Sequence, residues 1–133
     1  MKVIKITRKK LIKNIIKYTI LSVISVVLLI LSVRFLVRMY DIARCERLTQ
    51  KYGYEFKDEY KQCSMLPEEI EYFKVLDYEE EYAEVYYVTK DYGSANLLKF
   101  SKEENKWVMT SWDTIWSKYG SADGYIWPYR RYK

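Results

Sequence analysis

The chain has 133 residues, room for one small domain beyond an anchoring segment. Nine of its 23 Lys and Arg residues, and none of its 18 Asp and Glu residues, fall in 1–38. The remainder carries 14 cations against 18 anions, so the net charge of +5 comes from the N-terminal segment. That distribution speaks against a nucleic-acid-binding domain, which needs its basic residues on the folded face. The absence of histidine excludes Ser-His and Cys-His catalysis, and with 15 Tyr, 4 Trp and 4 Phe the chain is too aromatic to be disordered.

Residues 1–17 form a basic stub. Tyr18–Val33 follows as a run of sixteen residues without a charge. At a helical rise of about 1.5 Å per residue it covers about 24 Å, short of a hydrocarbon core of about 30 Å. Phe35, Leu36 and Val37 lengthen the run, and Lys17 and Arg34 can snorkel to the headgroups. We therefore read 18–37 as a signal-anchor helix crossing the lipid bilayer once. Leu31-Ser32-Val33-Arg34-Phe35 offers no small-x-small cleavage site, and Arg44 before Cys45 speaks against a lipoprotein. The basic cluster before the span places the N-terminus in the cytoplasm and 38–133 outside the cell membrane.

In the outer domain, Ile42, Cys45, Leu48, Thr49 and Tyr52 recur at spacings of three and four. This predicts a helix over Met39–Tyr52, ended by Gly53. Tyr54–Gln62 carries no periodic signal. A short second helix is expected from Pro67, with Glu68 and Glu69 in its first turn. The period then changes to two. Strands are expected at Tyr72–Asp77, Tyr82–Thr89, Ala95–Ser101 and Lys106–Trp112, with turns at Asp91–Ser94 and Glu103–Asn105. Short connections favour an antiparallel β-meander, so the expected fold class is α+β: one or two helices packed on one face of a four-stranded sheet.

Ala83-Glu84-Val85-Tyr86-Tyr87-Val88, Leu98-Lys99-Phe100-Ser101-Lys102 and Asn105-Lys106-Trp107 together resemble the terminal strands of NTF2-like or cystatin-like domains. The resemblance implies a small α+β envelope domain. Those families contain enzymes and binding modules alike, so it assigns no functional residue.

Few residues point to chemistry. Cys45 and Cys63, outside the cytoplasm, are candidates for one disulfide. Two thiols without His do not make a zinc site. Asp77, Glu79, Glu80, Glu81 and Glu84 lack calcium-loop spacing and read as a solvated hairpin tip. Asp113 and Asp123 lie among aromatic residues, the raw material of a glycoside hydrolase, but a chain with 18 Asp and Glu residues contains such pairs by chance. Catalytic, cofactor-binding and metal-binding residues are accordingly expected to be none.

The aromatic tail, 113–133, is the remaining feature. Trp112 and Trp116 are expected to share a face if the chain turns helical there. Trp127, held extended by Pro128, or Tyr125 is expected to dock inward, with Tyr129 and Tyr132 left outward. Trp116, Tyr119, Tyr125, Trp127, Tyr129, Arg130, Arg131 and Tyr132 form the candidate interaction surface. The expected function is that of a non-enzymatic, membrane-anchored envelope protein whose outer domain binds an envelope protein or cell-wall polymer. A small-ligand or glycan-binding module is the alternative, and a carboxylate-dependent hydrolase the remotest reading.

Overall fold

The computed structural model describes residues 2–66, 69–120, 122 and 124–129. The chain divides into two compact units, Met1–Val37 and Arg38–Lys133. One helix, α1, runs Lys2–Phe56. A 3-10 turn at Glu59–Gln62 follows, and then four strands: β1 (Ile70–Tyr78), β2 (Tyr82–Thr89), β3 (Ser94–Glu103) and β4 (Lys106–Ser117). The strands pair antiparallel in the order β1-β2-β3-β4, a meander, and the fold class is α+β.

The first unit is helical and its apolar side chains, from Leu11 to Val37, are exposed. α1 is long and apolar enough to cross a membrane. Thr19, Ser25 and Ser32 donate their hydroxyls to the carbonyls of Ile15, Leu21 and Leu28, four residues back, so their polar groups are satisfied inside the helix.

In the second unit the sheet is filled on both faces. Val75, Ala83, Val85, Tyr87, Leu98, Phe100 and Trp107 form one cluster with Phe56, Tyr60 and Cys63. Leu76, Tyr86, Val88, Ala95, Leu97 and Trp116 form the other with Cys45. Leu48 and Phe56 of α1 join the cluster on one face, where helix packing was expected, but the helix is not confined to that face. α1 lies along the outer edge of β1, where Thr49 Oγ1 accepts the Val75 N–H at 2.9 Å and Glu46 pairs with Lys74 at 2.6 Å. Straddling that edge lets Cys45 enter one cluster while Leu48 and Phe56 enter the other. It also gives the Val75 N–H on that edge an acceptor.

α1 does not stop at Gly53, as its sequence suggested. The helix continues to Phe56, and Gly53 is buried beneath Phe73 of β1. A Cβ built at Gly53 would meet the Phe73 ring at 3.4 and 3.5 Å, an ordinary contact. Gly53→Ala should therefore raise stability by about 1 kcal/mol, from helix propensity and a less flexible unfolded chain. Gly53→Leu should lower it. Urea unfolding of the two variants checks both signs.

The expected second helix is also corrected. Pro67 and Glu68 lie outside the described residues, Glu69 is not helical, and Ile70 already belongs to β1. β2 has the bounds read from the sequence, whereas the other strands are longer. β4 does not turn helical after Trp112. It continues to Ser117 by admitting register shifts at Thr110 and Ile115. The shift at Ile115 changes side-chain parity, so Trp112 is exposed while Trp116 is buried against Ala95. The β3–β4 turn places Glu104 and Asn105 at φ 48° and 63°, as a two-residue hairpin requires.

Candidate functional site

Beyond β4 the chain returns across the face that α1 leaves open. Lys118 N–H bonds to the Gly93 carbonyl at 2.9 Å and Gly124 N–H to that of Ile115 at 2.8 Å. From Gly124 the segment straps over the Tyr86 cluster. Ile126 and Tyr129 pack into it, and the Tyr129 ring stacks on Tyr86 at 6.2 Å. The strap then meets α1. Arg38 Nε donates to the Pro128 carbonyl at 2.9 Å, the Trp127 indole N–H donates to Asp41, and Tyr129 hydroxyl reaches Glu46 at 3.3 Å.

This reverses the expected polarity of the tail. Tyr129, expected outward, docks inward; Trp127, expected extended, lies in a turn and is 39% exposed; Tyr125 is 69% exposed. The reason is Tyr86, whose flat face accepts a second ring, while the Trp127 indole finds its acceptor on α1 rather than under the sheet. Of the other candidate surface residues, Trp116 is core and Tyr119 is 87% exposed. Arg130, Arg131, Tyr132 and Lys133 lie outside the described residues, as does Asp123, whereas Asp113 is exposed on β4.

A second polar centre surrounds Glu55, which sequence reasoning missed. Its carboxylate accepts the Trp107 indole N–H at 2.7 Å and the Tyr78 hydroxyl at 3.1 Å. Tyr52 stacks on Tyr78 at 3.7 Å with rings nearly parallel. Glu55, Glu59, Gln62, Lys102, Lys106 and Trp107 line an open cleft of about 470 Å³. Its groups are largely committed to one another. Gln62 donates to the Trp107 carbonyl and accepts from Met109 N–H, both at 2.9 Å, so its amide stands in for a fifth strand on the edge of β4. The only sequence signal was the three-residue spacing that aligns Tyr52 and Glu55 on one helix face. Among the described residues no three His, Cys, Asp or Glu side chains gather as metal ligands. In the acidic stretch Asp77 pairs with Arg44 at 2.7 Å and Glu84 with Lys99 at 3.4 Å, while Glu79–Glu81 form the exposed tip of the β1–β2 hairpin.

Several phenols are held in their protonated form. Burial, then the neighbouring Glu55 carboxylate, pushes Tyr78 from 10.0 up to about 12. Burial likewise raises Tyr82, Tyr87 and Tyr129. The unfolded chain releases these protons near pH 10, whereas the folded chain keeps them. Stability from this source is therefore complete below about pH 10 and falls as pH rises from there towards 12. Between pH 8 and 11 the fall in urea midpoint due to the phenols should set in above about 10, with part of the tyrosinate absorbance appearing together with unfolding. The buried Cys45 thiol, raised from 9.0, should add its own fall from about 9.

Cys45 and Cys63 are both buried and free, one in each cluster, so the expected disulfide is not formed. Continuation of α1 past Gly53 carries the chain to the other side of the β1 edge before Cys63 is reached. Burial raises the Cys45 thiol pKa, and its Sγ lies 3.8 Å from the Leu76 carbonyl. Alkylation of the native protein should be slow at both positions, and denaturant alone, without reductant, should release both. Labelling that requires reductant would show a disulfide instead.

The structure defines a class: a long helix with a candidate membrane span, joined to a small α+β domain whose C-terminal strap leaves aromatic residues exposed. No family model, no curated protein and no solved structure matches the chain, so the NTF2-like or cystatin-like resemblance rests on the strand pattern alone.

Proposed function

We propose that this is a single-pass, non-enzymatic envelope protein, anchored by 18–37 with its N-terminus in the cytoplasm, whose outer domain binds another macromolecule. The observation carrying the binding half is that both sheet faces are occupied, one by Phe56, Tyr60 and Cys63 and the other by Ile126 and Tyr129. This favours a surface over the concave sheet face that a small-ligand or glycan module would use. Tyr119 supplies exposed aromatic area, the residue class that contributes most at interfaces. The anchoring half rests on the apolar α1 and the basic cluster that precedes the span.

Two measurements test the two halves. A phosphatase fused after Lys133 should be active, and a fluorescent protein that folds only in the cytoplasm should be dark there; the opposite pair of results would overturn the topology. A photocrosslinking residue in place of Tyr119 should give discrete macromolecular adducts in native membranes that the same residue in place of Glu104, on the β3–β4 turn, does not. Equal adducts from the two positions would remove the surface.

A further inference from the structure

The strap returns the end of the domain to Arg38 and Asp41, among the first residues of the second unit. Arg38 directly follows Val37, and its Nε holds the Pro128 carbonyl at 2.9 Å. Asp41, which accepts the Trp127 indole N–H, is four residues past Val37, about 6 Å of helical rise. The polar layer on each side of the hydrocarbon core is itself about 5–8 Å deep. Tyr40, on the same turn of α1, is 64% exposed, Tyr125 is 69% and Trp127 is 39%. Tyr and Trp are the side chains enriched at this depth, because an apolar ring with one polar atom suits a layer that is half wet. The Trp127 indole keeps its polar atom satisfied on Asp41 while part of its ring stays open.

We infer that Trp127 and Tyr125, with Tyr40, form a second membrane contact, seated in the headgroup layer of the bilayer that α1 crosses. The inference rests on the membrane-anchored reading proposed above. It assigns these three aromatics to lipid and leaves Tyr119 for a macromolecular partner. Two features of the strap follow from the assignment. The inward side chains, Ile126 and Tyr129, complete the core, while Trp127 between them keeps its ring partly open at the height of Asp41 and Tyr125 before them is exposed. The cleft at Glu55, by contrast, lies 17 residues further along α1 than Arg38, about 26 Å of helical rise, well outside the headgroup layer.

The test uses the full chain in lipid nanodiscs carrying a nitroxide on the lipid headgroup. Tryptophan emission should be quenched in the natural sequence, and Trp127→Phe should remove more than half of that quenching, since Trp107 and Trp116 are buried and the exposed Trp112 is in register, through Leu98, Val85 and Val75, with Thr49, eleven residues past Arg38 on α1. In parallel, spin labels at Tyr125→Cys and Glu104→Cys should differ: the first shielded from a water-soluble nickel chelate, the second fully accessible. Neither label disturbs the core, so this arm holds even if Trp127→Phe weakens the fold. Quenching unchanged by Trp127→Phe, together with equal nickel access at the two labels, would overturn the inference. Shielding of the Tyr125 label in native membranes but not in pure-lipid nanodiscs would also overturn it, in favour of a protein partner. Flotation of the chain with vesicles is measured alongside. Loss of flotation would sink the anchored reading itself, whereas flotation with an accessible Tyr125 label would sink only the headgroup contact.

Discussion

Phe56→Ala should leave the α+β domain largely unfolded or close to it. Phe56 is fully buried at the last turn of α1. Its ring lies 5.1 Å from Trp107, 5.4 Å from Phe100 and 6.2 Å from Tyr78, so it joins α1 to β1, β3 and β4 at one point. Removing such a ring costs about 3–5 kcal/mol, through lost transfer energy and the cavity left behind. Small domains have about 5–15 kcal/mol in total, which makes the loss a large share of what holds this one. The surrounding groups cannot collapse freely. Trp107 and Tyr78 are fixed by their bonds to Glu55, and Tyr87 by its hydroxyl bond at 2.7 Å to the Phe56 carbonyl, which alanine retains. Tyr54→Ala, two residues earlier and 77% exposed, should change stability by less than about 0.5 kcal/mol. Urea unfolding followed by tryptophan emission checks the pair. A similar midpoint for both variants would show that the Phe56 cluster is not where the domain's stability resides.

Legibility in the sequence followed how local each signal was. β2 could be read to the residue because Tyr82–Thr89 is dense in β-branched and aromatic side chains and has turns at both ends. The apolar run of α1 was equally plain, since nothing but its own composition decides it. The continuation past Gly53 was hidden because glycine after a periodic segment ordinarily ends a helix. Here the helix carries on, because Gly53 is buried against Phe73, from a strand twenty residues later, at a distance that a Cβ would meet in ordinary contact. The length of β4 was hidden by its two register shifts, which break the period-two pattern that marks a strand. The separation of Cys45 from Cys63 depended on α1 straddling an edge rather than lying on a face, a tertiary fact with no local trace. In the candidate site the aromatic character of the tail was legible, but the inward and outward sets were not. Pairing Tyr129 with Tyr86 is a contact between residues more than forty positions apart.

Deletion of everything after Gly120 should cost at least about 3 kcal/mol. The strap contributes Ile126 and Tyr129 to the core and buries Pro128; burying one large apolar side chain contributes about 1.5–3 kcal/mol. It also supplies hydrogen bonds from Gly124 to Ile115, from Arg38 to Pro128 and from Tyr129 to Glu46, and their loss leaves the Ile115 carbonyl without its strap donor. Ordering so short a segment costs entropy, and for that reason the net effect is held near the lower figure. Tyr129→Ala should reproduce much of the loss, whereas removal of 130–133 alone should leave unfolding unchanged. The truncation carries its own internal control in the two thiols. Cys45 sits in the cluster that the strap covers and Cys63 in the one it does not. Native-state alkylation should therefore accelerate at Cys45 while Cys63 stays protected as long as the domain is folded. Acceleration at both positions would mean that the deletion unfolds the whole domain, and acceleration at neither, with an unchanged urea midpoint, would show that the strap is not part of the core.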